Sequence, residues 1–356
     1  MGMITIPLMI PRQERGNLRY YDFWRAIGAP KYVLAPMVDV SELPLRLFCL
    51  QNGTELCYSP MYNCKQFAAL SQYRTDFFQT CPEDSPLFVQ FCGDNPEIML
   101  EAARYVENHC DAVDVNFGCP QGIAKRGHYG AFLQDEWDIM RSLVHTLHTN
   151  LKVPVTAKFR KQNDPLRTVR MAEMLRDAGA QVLCMHGRTR EEKGRDAPPA
   201  DWEAIRLVRE ALVGVPFIAN GSVYTLDDAK SCLEKTKADA VMAGDGMRKQ
   251  PSLFSSNPLS PFECSRQLLT FCAKYPTSHA FARDRTLQMN LKSFEIHYDL
   301  RDKLAEAHTP DEINPILDSL EERIQTGFVP DPPPPREKPE FISIDDVMEG
   351  ISLFQE

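Results

Sequence analysis

Short apolar runs rich in β-forming residues punctuate the first two-thirds of the chain, at 32–35, 55–58, 87–91, 112–116, 155–159, 182–185, 217–219 and 240–242. Each is followed by a polar or Gly/Pro-bearing loop and then by a stretch with helical spacing, such as 96–109 and 168–178. Strand, loop and helix repeated eight times predict parallel pairing, and eight such units close into a TIM (β/α)8 barrel. An open, doubly wound sheet is the alternative α/β architecture. A barrel puts its active groups at the C-terminal ends of its strands. The polar residues that interrupt the apolar pattern fall there: Gln90, Asn116 with Cys119, Lys158, His186 and Asn220.

After about residue 258 the rhythm changes. Pro258 and Pro261 break the chain, and 262–327 then reads as helices rich in Leu, Arg, Lys and Glu. Within it Ile313, Ile316, Leu317 and Leu320 fall on one helical face. The expected organisation is an N-terminal extension (1–30), the barrel (31–258), a small all-helical domain (259–328) and a Pro-rich linker and tail (329–356) containing PDPPPP.

Composition agrees with a barrel-sized domain and a smaller partner: 356 residues, 43% hydrophobic and 25% charged. The net charge of -9 argues against a protein that coats nucleic acid over its whole surface, though not against one basic face. The 11 cysteines form no C-x-x-C pair, so they read as reduced, mostly buried thiols, and no metal site is expected. No apolar run reaches the ~20 residues that span a bilayer. The opening stretch 3–11 lacks a basic region and holds two prolines, so it is a poor signal peptide, and Ile6 stands where myristoylation wants Ser or Thr. A monomer in the cytoplasm or nucleus is expected.

Several constellations carry chemistry. Cys119 lies between Gly118 and Pro120 on the loop after the fourth strand, facing the barrel mouth; an inert thiol in a turn is the plainer alternative. The following loop carries Lys125, Arg126 and His128, suited to an anionic substrate and to activating a neighbouring thiol, or else simply solvated. Lys158 ends the fifth strand, where a buried lysine wants an anion or a Schiff base, and Arg160 points the same way by strand alternation. His186 and Arg188 end the sixth strand. Asn220-Gly221-Ser222 and Gly244-Asp245-Gly246 follow the seventh and eighth, the usual place for a phosphate cradle made of backbone N–H groups.

In order and spacing, APM at 35–37, VQF at 89–91, NFGCP at 116–120, GHYGAFL from 127, KFR at 158–160, HGRT at 186–189 and NGS at 220–222 resemble the tRNA-dihydrouridine synthases, most of all the eukaryotic branch acting at D-loop positions 16 and 17. The resemblance covers roughly 30–255, and a following helical domain also fits it. It implies FMN as cofactor, NADPH or NADH as electron donor and tRNA as substrate. Pro36, Met37 and Val38 would lie under the flavin. Gln90 and Lys158 would bond the polar edge of the ring, with His186 nearby. Asn220, Gly221, Ser222, Gly244 and Asp245 would surround the phosphate. Cys119 would be the general acid, with Asn116 orienting the uracil. Weaker substrate contacts are Lys125, Arg126, His128, Arg160 and Arg188, and, from the helical domain, Arg283, Arg285 and Lys292. One departure is Asp245, where many relatives carry an arginine for the phosphate, so another cation must compensate.

Reducing the C5=C6 bond of uracil needs a hydride on C6 and a proton on C5, which a reduced flavin and a positioned thiol supply. The base must be splayed out of its loop to reach the barrel. Three rivals stand beside this assignment. An FMN barrel acting on a small pyrimidine or enone would reduce free orotate or uracil. A Schiff-base aldolase using Lys158 would be colourless and trapped by borohydride. A non-catalytic RNA-binding barrel would bind tRNA without modifying it.

Overall fold

The computed structural model of the protein describes residues 18–194 and 196–331. Residues 1–17 of the expected extension, and the linker and tail from 332 onward, lie outside the described residues. Eight strands form a closed, all-parallel barrel in sequence order. They are β1 (Tyr32–Leu34), β2 (Leu56–Asn63), β3 (Leu87–Cys92), β4 (Ala112–Phe117), β5 (Val155–Arg160), β6 (Val182–His186), β7 (Phe217–Asn220) and β8 (Ala240–Ala243). The expected bounds differ most at β2, which continues five residues past Tyr58. Its pairing with β3 shifts register between Tyr58 and Met61, where Pro60 has no N–H for the ladder, and resumes beyond the irregularity.

Strand parity divides the apolar residues into two layers. Val89, Phe91, Val113, Val115, Ala157, Phe159, Leu183 and Met185 point outward and pack under the helices. Val33, Tyr58, Phe88, Ala112, Val182, Cys184, Ile218 and Met242 point inward and fill the lower barrel. The helix Tyr20–Ala26 closes the N-terminal end, burying Phe23 and Trp24 in that inner layer. It is tied down by Tyr20 N–H to Gln181 Oε1 (3.1 Å) and Tyr21 Oη–H to Asp239 Oδ1 (2.9 Å), both on residues just ahead of strands.

Among the described residues, five helices follow the barrel from residue 261 on: Pro261–Lys274, His279–Met289, Leu291–Ile296, Tyr298–Glu306 and Pro310–Thr326. The first starts at a capping box between Ser260 and Glu263 and packs on the barrel helix Leu43–Gln51, where Asn52 Nδ2 donates to Gln267 Oε1 at 3.0 Å. In the last, Ile313, Ile316, Leu317 and Leu320 are buried together. The helix His279–Met289 packs against Asp245–Lys249, which follows β8 at the barrel mouth. Among the described residues no helix is long and apolar enough to cross a membrane, and no cluster of His, Cys, Asp or Glu is arranged to hold a metal.

Candidate functional site

With the lower barrel filled, the inward positions one and two pleats higher are polar. Parity puts Gln90, Asp114, Asn116, Thr156, Lys158, Arg160, His186 and Asn220 on the interior face, and adjacent strands pair them: Gln90 with Asp114, Asn116 with Lys158, Arg160 with His186, His186 with Asn220. Above them opens a cleft of about 400 Å³, within the size range of cofactor sites. Its walls include Ala35, Pro36 and Met37 after β1, Lys158 and Arg160 of β5, and His186 with Arg188 at β6. The Asn220–Tyr224 loop and Gly244–Gly246 with Arg248 close the far side.

Lys158 is the most constrained cation there. It is 9% exposed, and Nζ donates to Asn220 Oδ1 at 2.9 Å. Asn220 is turned that way because its Nδ2 donates to the Met242 carbonyl at 2.9 Å. Burial pulls the lysine pKa down, so the ammonium gains from an anion entering the cleft. His186 is neutral, its pKa held well below the usual range by burial and then by Arg160, Lys158 and Arg188; its buried Nδ1 has no partner within the protein. Arg160 is pulled down to about 10 by burial and the facing Arg188. Cations outnumber anions on these walls.

The far side is built as a cradle. Gly221 has φ +113°, and a Cβ there would stand 2.7 Å from Ala200 Cβ and 3.0 Å from His186 Cε1, so only glycine lets the loop approach. Trp202 Nε1 donates to the Gly221 carbonyl at 3.0 Å. Ser222 Oγ accepts from Ala200 N–H (2.8 Å) and from Arg188 Nη2 (3.3 Å). Asp245 leans toward Arg248 and Lys249, at 3.9 and 3.6 Å. Arg248 lines the cleft and has a buried Nε without a partner, a cation on the same wall as Asp245. A phosphate fits this chemistry.

The Cys119 loop borders the cleft on the β4 side, where Gln121 joins the lining. Asn116 Oδ1 accepts the backbone N–H of Gly118 (3.1 Å) and of Cys119 (2.9 Å). Arg160 Nε donates to the Gly118 carbonyl at 2.7 Å, and Lys193 Nζ to that of Pro120 at 2.8 Å. Cys119 is half-buried, and a charge on it would act on both Lys158 and Arg160.

Other expected positions lie elsewhere. Val38 is 52% exposed and outside the cleft lining. Gln90 is fully buried below the cleft, committed to Asp114 and Asn116. His128 does not face the thiol as a free cation, because its ring nitrogens bind Asp94 (2.9 Å) and Glu136 (2.7 Å), which raise its pKa. Lys125 and Arg126 are exposed on the short helix Gly122–Arg126. Arg285 is a correction: at 5% exposure it is buried, its pKa lowered by that burial and by Arg248, and cannot serve as a surface contact for RNA. Arg283 is half-buried and donates to the Ala305 carbonyl, and Lys292 is exposed. Arg188 stands at the cradle, bonded to Ser222. Arg248 was missed, although a cation run just after the glycines of β8 was its signal. A larger cleft of about 610 Å³, lined by Arg74, Tyr105 and Tyr275 among others, includes no strand residue and lies apart from this chemistry.

Known proteins resemble the chain in fold and in sequence. Over 70% of its length the chain superposes on half (51%) of a 2-naphthoyl-CoA reductase with a TM-score of 0.50 at 11% identity, a likeness of fold alone. A Mus musculus tRNA-dihydrouridine(16/17) synthase-like protein is 40% identical over 312 residues, 87% of this chain and 66% of the relative. The Schizosaccharomyces pombe tRNA-dihydrouridine(16/17) synthase is 40% identical over 321 residues, 85% of this chain and 80% of its own. The Saccharomyces cerevisiae protein of the same name is 48% identical over 233 residues, 64% of this chain and 55% of its own. The chain thus spans between about half and four-fifths of these relatives, whose names also carry NAD(P). A family model described as dihydrouridine synthase matches residues 33–309, the whole barrel and the first helices after it. The chain belongs to the dihydrouridine synthase family.

Proposed function

We propose that this chain reduces uridine in tRNA to 5,6-dihydrouridine, with FMN held in the barrel-mouth cleft and NADPH or NADH as the electron source. The observation that carries it is the buried Lys158, held by Asn220 in the same cleft as a phosphate cradle and one strand away from the Cys119 loop. Bound there, FMN would supply the hydride for C6 of uracil.

The remaining work falls to this chain's own groups. Lys158 Nζ offers a charge-assisted donor to the polar edge of a bound ring. Neutral His186 offers Nδ1 beside it. The Gly221–Ser222 backbone, Arg188 and Arg248 hold the phosphate end, while Asp245 turns its carboxylate to Arg248 and Lys249. Cys119 Sγ holds the proton destined for C5, on a loop fixed by Asn116 and Arg160. Exposed Lys292, and with it the half-buried Arg283, would meet the tRNA backbone.

The test is to map dihydrouridine in tRNA from cells lacking the protein, rescued with wild type or with Cys119→Ala. Loss at D-loop sites, restored by wild type and poorly by the variant, is expected. Unchanged tRNA defeats the substrate assignment. A colourless purified protein defeats the flavin.

A further inference from the structure

The barrel interior holds a carboxylate that this chemistry does not use. Asp114 is fully buried on β4, paired with Gln90 of β3 and Thr156 of β5. Its Oδ1 accepts from Thr156 Oγ1 at 2.6 Å and its Oδ2 from Gln90 Nε2 at 2.8 Å. Gln90 Oε1 in turn accepts from Asn116 Nδ2 at 2.8 Å, and Asn116 Oδ1 takes the Gly118 and Cys119 N–H groups. Four residues thus form one unbroken chain from the barrel centre to the thiol loop.

Both ends of that chain run one way. Backbone N–H groups only donate, so Asn116 must show them its oxygen. An ionised carboxylate only accepts, so Gln90 must show it the NH2. The two amides between have a single arrangement that satisfies both ends, and without the carboxylate Gln90 is free to turn over. Packing alone has no use for a charge here, since burying one is costly unless it is fully hydrogen-bonded.

We propose that Asp114 is a positioning residue: through Gln90 and Asn116 it sets the direction of this hydrogen-bond chain and so holds the Cys119 loop at the edge of the cleft. The proposal rests on Cys119 as the proton donor, and its test reverses the chain. Asn116→Asp puts an acceptor where Gln90 needs a donor. Gln90 must then turn, and its Oε1 meets the Asp114 carboxylate. Adding Asp114→Asn gives that oxygen an NH2 while the new carbonyl still takes the Thr156 hydroxyl. The same two side chains are exchanged, and the chain runs complete in the opposite direction.

Two readouts follow the loop: kcat for dihydrouridine formation, and the rate at which iodoacetamide alkylates Cys119, read by peptide mass spectrometry. Asn116→Asp alone should lower the first and raise the second roughly tenfold, as expected for one buried polar group left unsatisfied. The exchanged pair should return both to within about threefold of wild type, the mark of coupled neighbours. A pair no better than the single variant, or a single variant alkylated like wild type, overturns the proposal. Should Asn116→Asp prove insoluble, solubility regained in the pair is the same rescue, and an insoluble pair overturns it. Alkylation needs neither tRNA nor turnover. A protein that follows this pattern but forms no dihydrouridine therefore faults the proposed function and not the positioning.

Discussion

Replacing Lys158 by methionine separates what the buried ammonium does for a ligand from what it does for the fold. Two effects oppose each other in the empty protein. Burial already pulls the Lys158 pKa down, so the charged form is held at a cost that the substitution removes. Against that, Asn220 Oδ1 loses its 2.9 Å donor, and a buried acceptor left unsatisfied costs about 1–3 kcal/mol. The two oppose each other, so any net loss of stability stays below that cost alone, no more than about 4 °C in Tm for a chain of this size. Nothing cancels on the ligand side. One charge-assisted hydrogen bond is lost, about 1.5–3 kcal/mol, which weakens FMN binding by roughly 10–150-fold. Circular-dichroism melts of the apoprotein and fluorescence titration with FMN measure the two quantities separately. An FMN Kd within about threefold of wild type would refute the role given to Lys158. So would a fall in apoprotein Tm of much more than about 4 °C, because the ammonium would then be holding the fold together.

Arg248→Ala should weaken FMN roughly fivefold while leaving riboflavin, which lacks the phosphate, unaffected; equal losses for both would place Arg248 away from the phosphate. Gly130 has φ +67°, and a Cβ there would stand 2.8 Å from the Cys119 carbonyl oxygen. Gly130→Ala should therefore cost about 1–3 kcal/mol in urea unfolding and speed alkylation of Cys119; unchanged stability would show that the loop tolerates the methyl. Burial raises the Asp114 carboxyl from 3.8 to about 6. Between those values the folded state holds a proton that the unfolded chain releases, so this contribution is complete below about pH 4 and disappears as pH climbs through 6, ~3 kcal/mol in all. Asp114→Asn should lose that slope, so that it appears in the difference between the two pH–stability curves, and parallel curves would refute the assignment.

The barrel was legible because two periods alternate without interruption. Each two-period strand in which both faces are buried gives a short continuous apolar run, and each helix after it shows the longer spacing, so eight strands were countable before any pairing was known. Local chemistry blurred one bound, at Ser59–Pro60, where a proline reads as a strand end but the strand resumes beyond an irregularity in its pairing. The cleft was legible for a related reason. A lysine or asparagine at the end of an apolar strand has few places to go, and parity carried Lys158 and Arg160 into the same cavity.

What could not be read was the choice of partner. His128 and Arg285 are cations in plausible places, yet one is neutralised by Asp94 and Glu136 from separate loops, and the other is buried on the helix His279–Met289, close to Arg248. Neither fact has a sequence period. The same limit explains Asp114. The strand ends drew attention to Gln90 and Asn116, and parity along the same strands puts Asp114 and Thr156 inward as well. An aspartate inside the AVDVNF strand breaks the apolar rule more sharply than Lys158 does, because it lies in the middle of the strand and cannot reach water. Such a residue needs two or more donors from neighbouring strands. Here they are the Thr156 hydroxyl and the Gln90 amide, and the second passes the constraint on toward Cys119. A buried charge in mid-strand is thus a sign that the polar groups on either side of it are held in one orientation. In this barrel those groups end at the thiol loop.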